Sequence, residues 1–143
     1  MYAYPYPRPS LTADVLVFAD EGKSVLLVLR GNEPYKGMWA FPGGFFDMED
    51  YDIEHTAARE LQEETGLTGI PLTLIGIGSR KGRDPRGRTV SVVFMGDVDR
   101  AQVHPKGGDD ATQAQWFSLD ALPPLAFDHS EILQKALRVR TGK

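Results

Sequence analysis

Apolar residues along this chain change their spacing several times, and each change marks a boundary between elements. Positions 11–19 (LTADVLVFA) and 24–29 (SVLLVL) are nearly continuous apolar runs, separated by Asp20-Glu21-Gly22-Lys23. Runs of this length around a short polar turn containing glycine predict two strands joined as a β-hairpin. Positions 39–41 form a short strand that stops at a turn, Pro42-Gly43-Gly44. The period then changes to that of a helix over about 52–65, closed by Gly66, the residue type that best terminates a helix in the left-handed conformation. Strands are expected again at 72–77 and 89–98, with a polar, glycine- and proline-broken loop at 79–88 between them, and a further strand at 114–119. The last periodic stretch, 130–139, places Ile132, Leu133, Ala136 and Leu137 on one helical face.

Runs of strands with only two long helices predict an α/β chain built as a mixed β-sheet between helices. A length of 143 residues suggests one domain spanning 1–143, and no repeat or linker divides it. Residues 1–10, rich in Tyr and Pro, are expected to run as an extended arm, because proline fixes its own φ and restricts the residue before it.

Composition narrows the chemistry. The chain has no cysteine, so any metal must sit on oxygen or imidazole ligands. Its net charge is −4 and it carries no long basic run, which argues against non-specific binding to a nucleic-acid backbone. No apolar stretch approaches the ~20 residues of a membrane span, and the N-terminus lacks a signal pattern, so a soluble cytoplasmic protein is expected.

The first helix holds the strongest chemical signal. At 100° per residue, Ile53, Ala57 and Leu61 form an apolar stripe, and Glu60, Glu63 and Glu64 cluster on the adjoining face. Like charges one turn apart destabilise an isolated helix by roughly 0.2–0.5 kcal/mol per pair, and a cation removes that penalty. Carboxylate oxygens suit hard ions such as Mg²⁺, Mn²⁺ and Ca²⁺, and Mg²⁺ favours a few carboxylates combined with water and substrate phosphates. A solvated acidic face with Arg59 paired to Glu63 is the plain structural alternative. The Gly43-Gly44 pair upstream argues against it, because glycines let backbone approach a ligand closely.

Arg59 to Leu67, RELQEETGL, resembles the second half of the Nudix box at every defined position: Arg, Glu, aliphatic, Glu, Glu, Gly, aliphatic. The first half departs from the family pattern G-x5-E-x7-R. Counting from Gly44 puts the glutamate position on Asp50, and counting back from Arg59 puts it on Tyr51. One residue is inserted, and Asp50 or Glu49 stands in for the usual glutamate. The resemblance implies a Nudix-type α/β/α sandwich. It implies Glu60, Glu63, Glu64 and the Gly43 carbonyl as ligands of Mg²⁺, with Mn²⁺ as a possible substitute, and Arg59 as the residue that orients the glutamates. Glu60, Glu64 or, from outside the box, Asp109 or Asp110 would be the general base.

Features beyond the box are similar to the ADP-ribose pyrophosphatase group: Arg30-Gly31 before Pro34, Arg83-Asp84-Pro85-Arg86-Gly87-Arg88, Gly108-Asp109-Asp110-Ala111 before Trp116, and Phe127-Asp128-His129 before the last helix. The implied reaction splits ADP-ribose, a small nucleoside diphosphate, into AMP and ribose 5-phosphate, with Arg30, Arg83, Arg86 and Arg88 facing the substrate. A guanidinium fork matches phosphate geometry. His129 reads as a cap or packing residue, and Trp39 and Trp116 as core. Two alternatives stand: hydrolysis of nucleoside triphosphates or other sugar nucleotides, and a non-catalytic Nudix-like ligand sensor, which would often have lost the glutamates this chain keeps. The resemblance also allows a homodimer.

Overall fold

The computed structural model describes residues 3–106 and 111–142. In chain order its elements are β1 (Ser10–Ala19), β2 (Ser24–Arg30), β3 (Trp39–Ala40), β4 (Gly43–Phe45), α1 (Ile53–Thr65), β5 (Thr73–Gly78), β6 (Thr89–Asp97), a 3₁₀ turn (Arg100–Gln102), β7 (Ala111–Ser118) and α2 (His129–Thr141). The expected elements are present with ends shifted by up to three residues, and β7 begins earlier than its apolar pattern.

The strands form one mixed sheet, which splits near its centre. β1 runs parallel to β6 along its length, from Ser10–Thr89 to Phe18–Asp97, and β6 pairs antiparallel with β5. On its other edge β1 meets β2 only at the hairpin end, through Phe18–Val25 and Ala19–Ser24. Further along, that edge is taken by β4, at Thr12–Phe45 and Asp14–Gly43. β2 likewise turns to β3 on this side, and pairs with β7 on the other. The two strands of the hairpin therefore part, and the β3–β4 segment occupies the gap.

Gly43-Gly44 was expected in a turn and instead lies in strand β4. Neither glycine needs a positive φ. Their lack of a side chain serves close packing: a Cβ on Gly43 would lie 2.2 Å from the Ala13 carbonyl oxygen, and one on Gly44 would lie 2.5 Å from the Glu60 carboxyl carbon.

The alternation of β1 explains its unbroken apolar run. Ala13, Val15 and Val17 face one side with Ala57 and Leu61 of α1, while Leu16 and Phe18 face the other with Ile132, Leu133 and Ala136 of α2. Both faces are covered, as an α/β/α sandwich requires. Each fully buried Leu, Val or Phe contributes roughly 1.5–3 kcal/mol relative to exposure, so the two cores hold the helices against the sheet. Trp39 packs edge-on against Phe117 at 4.8 Å and Trp116 borders the α1-side core, both as expected. At the N-terminus Tyr4 and Tyr6 are exposed, with the Arg8 guanidinium over the Tyr4 ring. Among the described residues no helix is long and apolar enough to cross a membrane.

Candidate active site

Helix α1 starts cleanly because the Asp52 carboxylate accepts the His55 N–H at 2.8 Å, and it ends at Gly66 with φ 78°. Its apolar stripe docks on β1, which turns Glu60, Glu63 and Glu64 towards the split in the sheet. All three line a cleft of about 680 Å³. Arg59 ties this face to the preceding loop. Its Nε and Nη2 donate to the two oxygens of Asp50 at 2.8 and 2.9 Å, its Nη1 donates to Glu60 at 2.6 Å and Glu63 at 3.2 Å, and its Nη2 reaches the Phe45 carbonyl at 3.2 Å. The Arg59–Glu63 pair foreseen as a plain surface contact is thus one arm of a larger clamp.

The buried Asp50 also accepts the Thr56 hydroxyl and the Asp47 N–H. The Arg59 hydrogen bonds, with those from Asp47 and Thr56, outweigh burial and hold its carboxyl well below the usual range. Asp50 rather than Glu49 therefore fills the place of the shifted box glutamate: Glu49 is exposed and Tyr51 is 91% exposed. The inserted residue is absorbed at the surface, and the shorter aspartate still closes the fork.

Glu64 reaches across to β4, where the Gly43 N–H donates to its Oε1 at 2.7 Å. Burial pushes the Glu64 carboxyl up to about 8, and Glu60 and Asp14 push the same way, against the Gly43 N–H and Arg30.

Beneath Glu64 the cleft floor is a buried polar network from the α2 side. Asp14 of β1 accepts the Ser91 hydroxyl and lies 3.6 Å from His129 Nε2 and 3.9 Å from Arg83 Nη2. Burial opposes the Asp14 charge, but His129, Ser91 and Arg83 outweigh it and keep the carboxyl below its ordinary value. His129 Nδ1 accepts the Phe41 N–H at 3.0 Å, which leaves the ring proton on Nε2, facing Asp14. Asp14 was not among the sequence candidates. Its signal was present, since a charge inside a strand covered on both faces needs a partner.

The four arginines expected to face substrate have different fates. Arg83 is buried, and its fork is closed on Asp128 at 2.9 and 2.7 Å. It lines the cleft, but its donors are committed to protein, so it builds the floor rather than gripping a phosphate. Arg86 lines the mouth, paired with Asp84 and lying over the rings of Phe45 and Phe127 at 4.7 and 5.4 Å. Arg30 also lines the cleft, over Phe127 at 4.9 Å. Arg88 is exposed and is not part of the cleft wall. Asp109 and Asp110 lie outside the described residues. His129, expected as a cap or packing residue, packs on Phe41 and in addition forms part of the floor.

Among the described residues, no group of three or more His, Asp or Glu side chains stands in metal-holding geometry. Arg59 draws on Glu60 and Glu63, and the Gly43 N–H draws on Glu64. The donor chemistry nevertheless fits a hard divalent cation: the set is all oxygen, and Glu64 is crowded by the charges of Glu60 and Asp14, a repulsion that a cation relieves.

The NUDIX domain profile matches residues 8–136. Over 137 residues the chain is 40% identical to an ADP-ribose pyrophosphatase of Methanocaldococcus jannaschii, covering 96% of this chain and 78% of that protein. It is 39% identical to the ADPR responsive transcriptional repressor NtrR of Acinetobacter baylyi, covering 92% of this chain but only 54% of the repressor. Among solved structures, the NUDIX domain of Shewanella oneidensis NrtR complexed with ADP ribose superposes with a TM-score of 0.86 at 29% identity, over 97% of this chain and 94% of that one.

Proposed function

The chain belongs to the NUDIX domain family, and from that premise we propose that it is a pyrophosphohydrolase that uses Mg²⁺ to split ADP-ribose into AMP and ribose 5-phosphate. The observation that carries the reaction type is the gathering of Glu60, Glu63 and Glu64 at one cleft, with Arg59 and Asp50 fixing their helix to the loop beside β4. The choice of ADP-ribose draws support from the whole-length similarity to an ADP-ribose pyrophosphatase and from the likeness to an ADP-ribose-bound domain.

Glu60 and Glu64 would hold the cation, with Glu63 completing the acidic face and the Gly43 carbonyl a further donor. When bound, the cation supplies neutralisation of the diphosphate charge and a more acidic water. The chain's own groups do the rest. Arg59 and Asp50 hold the carboxylates in place, the Gly43 N–H orients Glu64, and Glu64 or Glu60 takes the proton from the attacking water as a P–O bond of the diphosphate breaks. Arg30 at the cleft wall faces the anionic substrate.

Initial rates with ADP-ribose, other sugar nucleotides and nucleoside triphosphates, with Mg²⁺ and with EDTA, test this reading. AMP released fastest from ADP-ribose, and only with the metal, is the expected result. A faster triphosphate refutes the substrate. ADP-ribose binding without any cleavage refutes the enzyme and leaves the ligand sensor. Glu64→Gln is expected to fold normally by circular dichroism and to lose hydrolysis; near-normal turnover at saturating Mg²⁺ contradicts the role given to Glu64.

A further inference from the structure

Between β3 and β4 the chain passes from one partner strand to another. Ala40 still pairs with Val28 of β2, whereas Gly43 already pairs with Asp14 of β1. The two residues at the crossing, Phe41 and Pro42, leave the ladder in different ways. Pro42 has no N–H, and its carbonyl accepts the Val15 N–H at 2.8 Å. Phe41 is buried, so its N–H needs an acceptor inside the protein. That acceptor is a side chain 88 residues further along, His129 Nδ1 at 3.0 Å.

The imidazole is held in turn. Its ring stacks on the Phe41 ring at 5.0 Å and its Nε2 faces Asp14 at 3.6 Å. The Arg83 fork clamps the preceding Asp128 at 2.9 and 2.7 Å. The loop before α2 is itself laid on β3, where the Ala126 N–H donates to the Trp39 carbonyl at 2.8 Å. With Nδ1 spent as an acceptor and the ring buried, His129 is built to hold backbone rather than to exchange a proton with substrate. Directly after the crossing stands Gly43, whose N–H donates to Glu64 Oε1 at 2.7 Å. Proline locks its φ near about −65°, so few free torsions separate the Phe41 N–H from the Gly43 N–H. A slip at Phe41 therefore reaches Gly43 with little to absorb it.

We propose that His129 is a positioning residue for Glu64: by accepting the Phe41 N–H it fixes the Phe41-Pro42-Gly43 crossing, and so sets the Gly43 N–H that holds the Glu64 carboxylate. The inference deepens the hydrolase reading and rests on it for the role of Glu64.

The test uses two variants of the full chain that divide the two functions of the ring. His129→Asn places an amide oxygen where Nδ1 stands, keeping an acceptor for Phe41 but losing the reach to Asp14; His129→Gln reaches to Asp14 but leaves the Phe41 N–H without its acceptor. Melting temperature, kcat and KM for ADP-ribose in Mg²⁺, and amide hydrogen exchange of Phe41 and Gly43 in metal-free protein are measured in each. His129→Gln is expected to lower kcat by up to about 100-fold with KM little changed, as misplacement of a reacting group does, and to speed exchange at both amides. His129→Asn is expected to recover most of that loss and to slow both amides again. Wild-type kcat in His129→Gln, or a loss of kcat that follows the melting temperatures rather than the Phe41 acceptor, overturns the proposal. If the wild type cleaves nothing yet the Gly43 amide opens in His129→Gln and closes in His129→Asn, the positioning stands and the hydrolase reading falls. If the wild type cleaves ADP-ribose and the Gly43 amide is unchanged in His129→Gln, the reverse holds.

Discussion

Gly44→Ala and Gly43→Ala add the same methyl group to adjacent residues of β4, and the structure assigns them opposite consequences. At Gly44 the new carbon would lie 2.5 Å from the Glu60 carboxyl carbon and 2.6 and 2.7 Å from its oxygens. Contact between non-bonded carbons is comfortable at about 3.5–4.0 Å, so the carboxylate must retreat by about 1 Å. The far end of a flexible side chain can do so without moving the fold. Because Gly44 has no positive φ, alanine also gains about 0.4–1 kcal/mol from a less flexible unfolded chain, which offsets the local crowding. Stability should therefore change by less than about 1 kcal/mol, while, under the role proposed for Glu60, its displacement by about 1 Å is expected to lower the rate by up to about 100-fold. At Gly43 the new carbon meets backbone, 2.2 Å from the Ala13 carbonyl oxygen and 3.1 Å from the Asp14 Cα. Nothing there can swing aside, so β4 must separate from β1, at a cost of about 1–3 kcal/mol or more. Thermal melts paired with kcat/KM on ADP-ribose in Mg²⁺ separate the two. A Gly44→Ala protein with wild-type kcat/KM, or one destabilised as much as Gly43→Ala, would refute the reasoning.

Arg83→Met removes the cation that pairs with the buried Asp128 and borders Asp14. Leaving buried charge without its partner costs about 3–5 kcal/mol, so the melting temperature should fall by about 10 °C; a shift of a degree or two would mean that the network is dispensable. Asp50 titrates below its ordinary value of 3.8 in the folded protein, so its stabilisation is complete above that value and is lost as the pH falls through the acid range beneath it. In urea titrations from neutral pH downwards, the stability gap between the wild type and Asp50→Asn should shrink below about pH 4; a gap independent of pH would contradict an ionised Asp50 as the anchor of Arg59.

The acidic face of α1 was legible in the sequence because helical periodicity is local: Glu60, Glu63 and Glu64 share a face wherever the helix is placed, and the Ile53-Ala57-Leu61 stripe dictates which side turns inward. The choice between Asp50 and Glu49 was not legible, since it depends on which carboxylate the inserted residue carries back to Arg59. The arginines show the same division. Residue type made Arg30, Arg83, Arg86 and Arg88 equivalent candidates, but burial beside Asp128 closed Arg83, Asp84 flattened Arg86, and Arg88 stayed outside the cleft.

What the sequence determined by itself was the order of strands and helices, the face each buries, and the presence of a carboxylate cluster, because these follow from period and residue type over a few turns. What only the tertiary structure decided was the split between β1 and β2. Register, rather than pattern, parts those strands and lays Gly43-Gly44 in the gap. There the α1 carboxylates meet Asp14 and His129 from the opposite face, and the aromatic rings at 45 and 127 are brought into one cleft across more than half the chain.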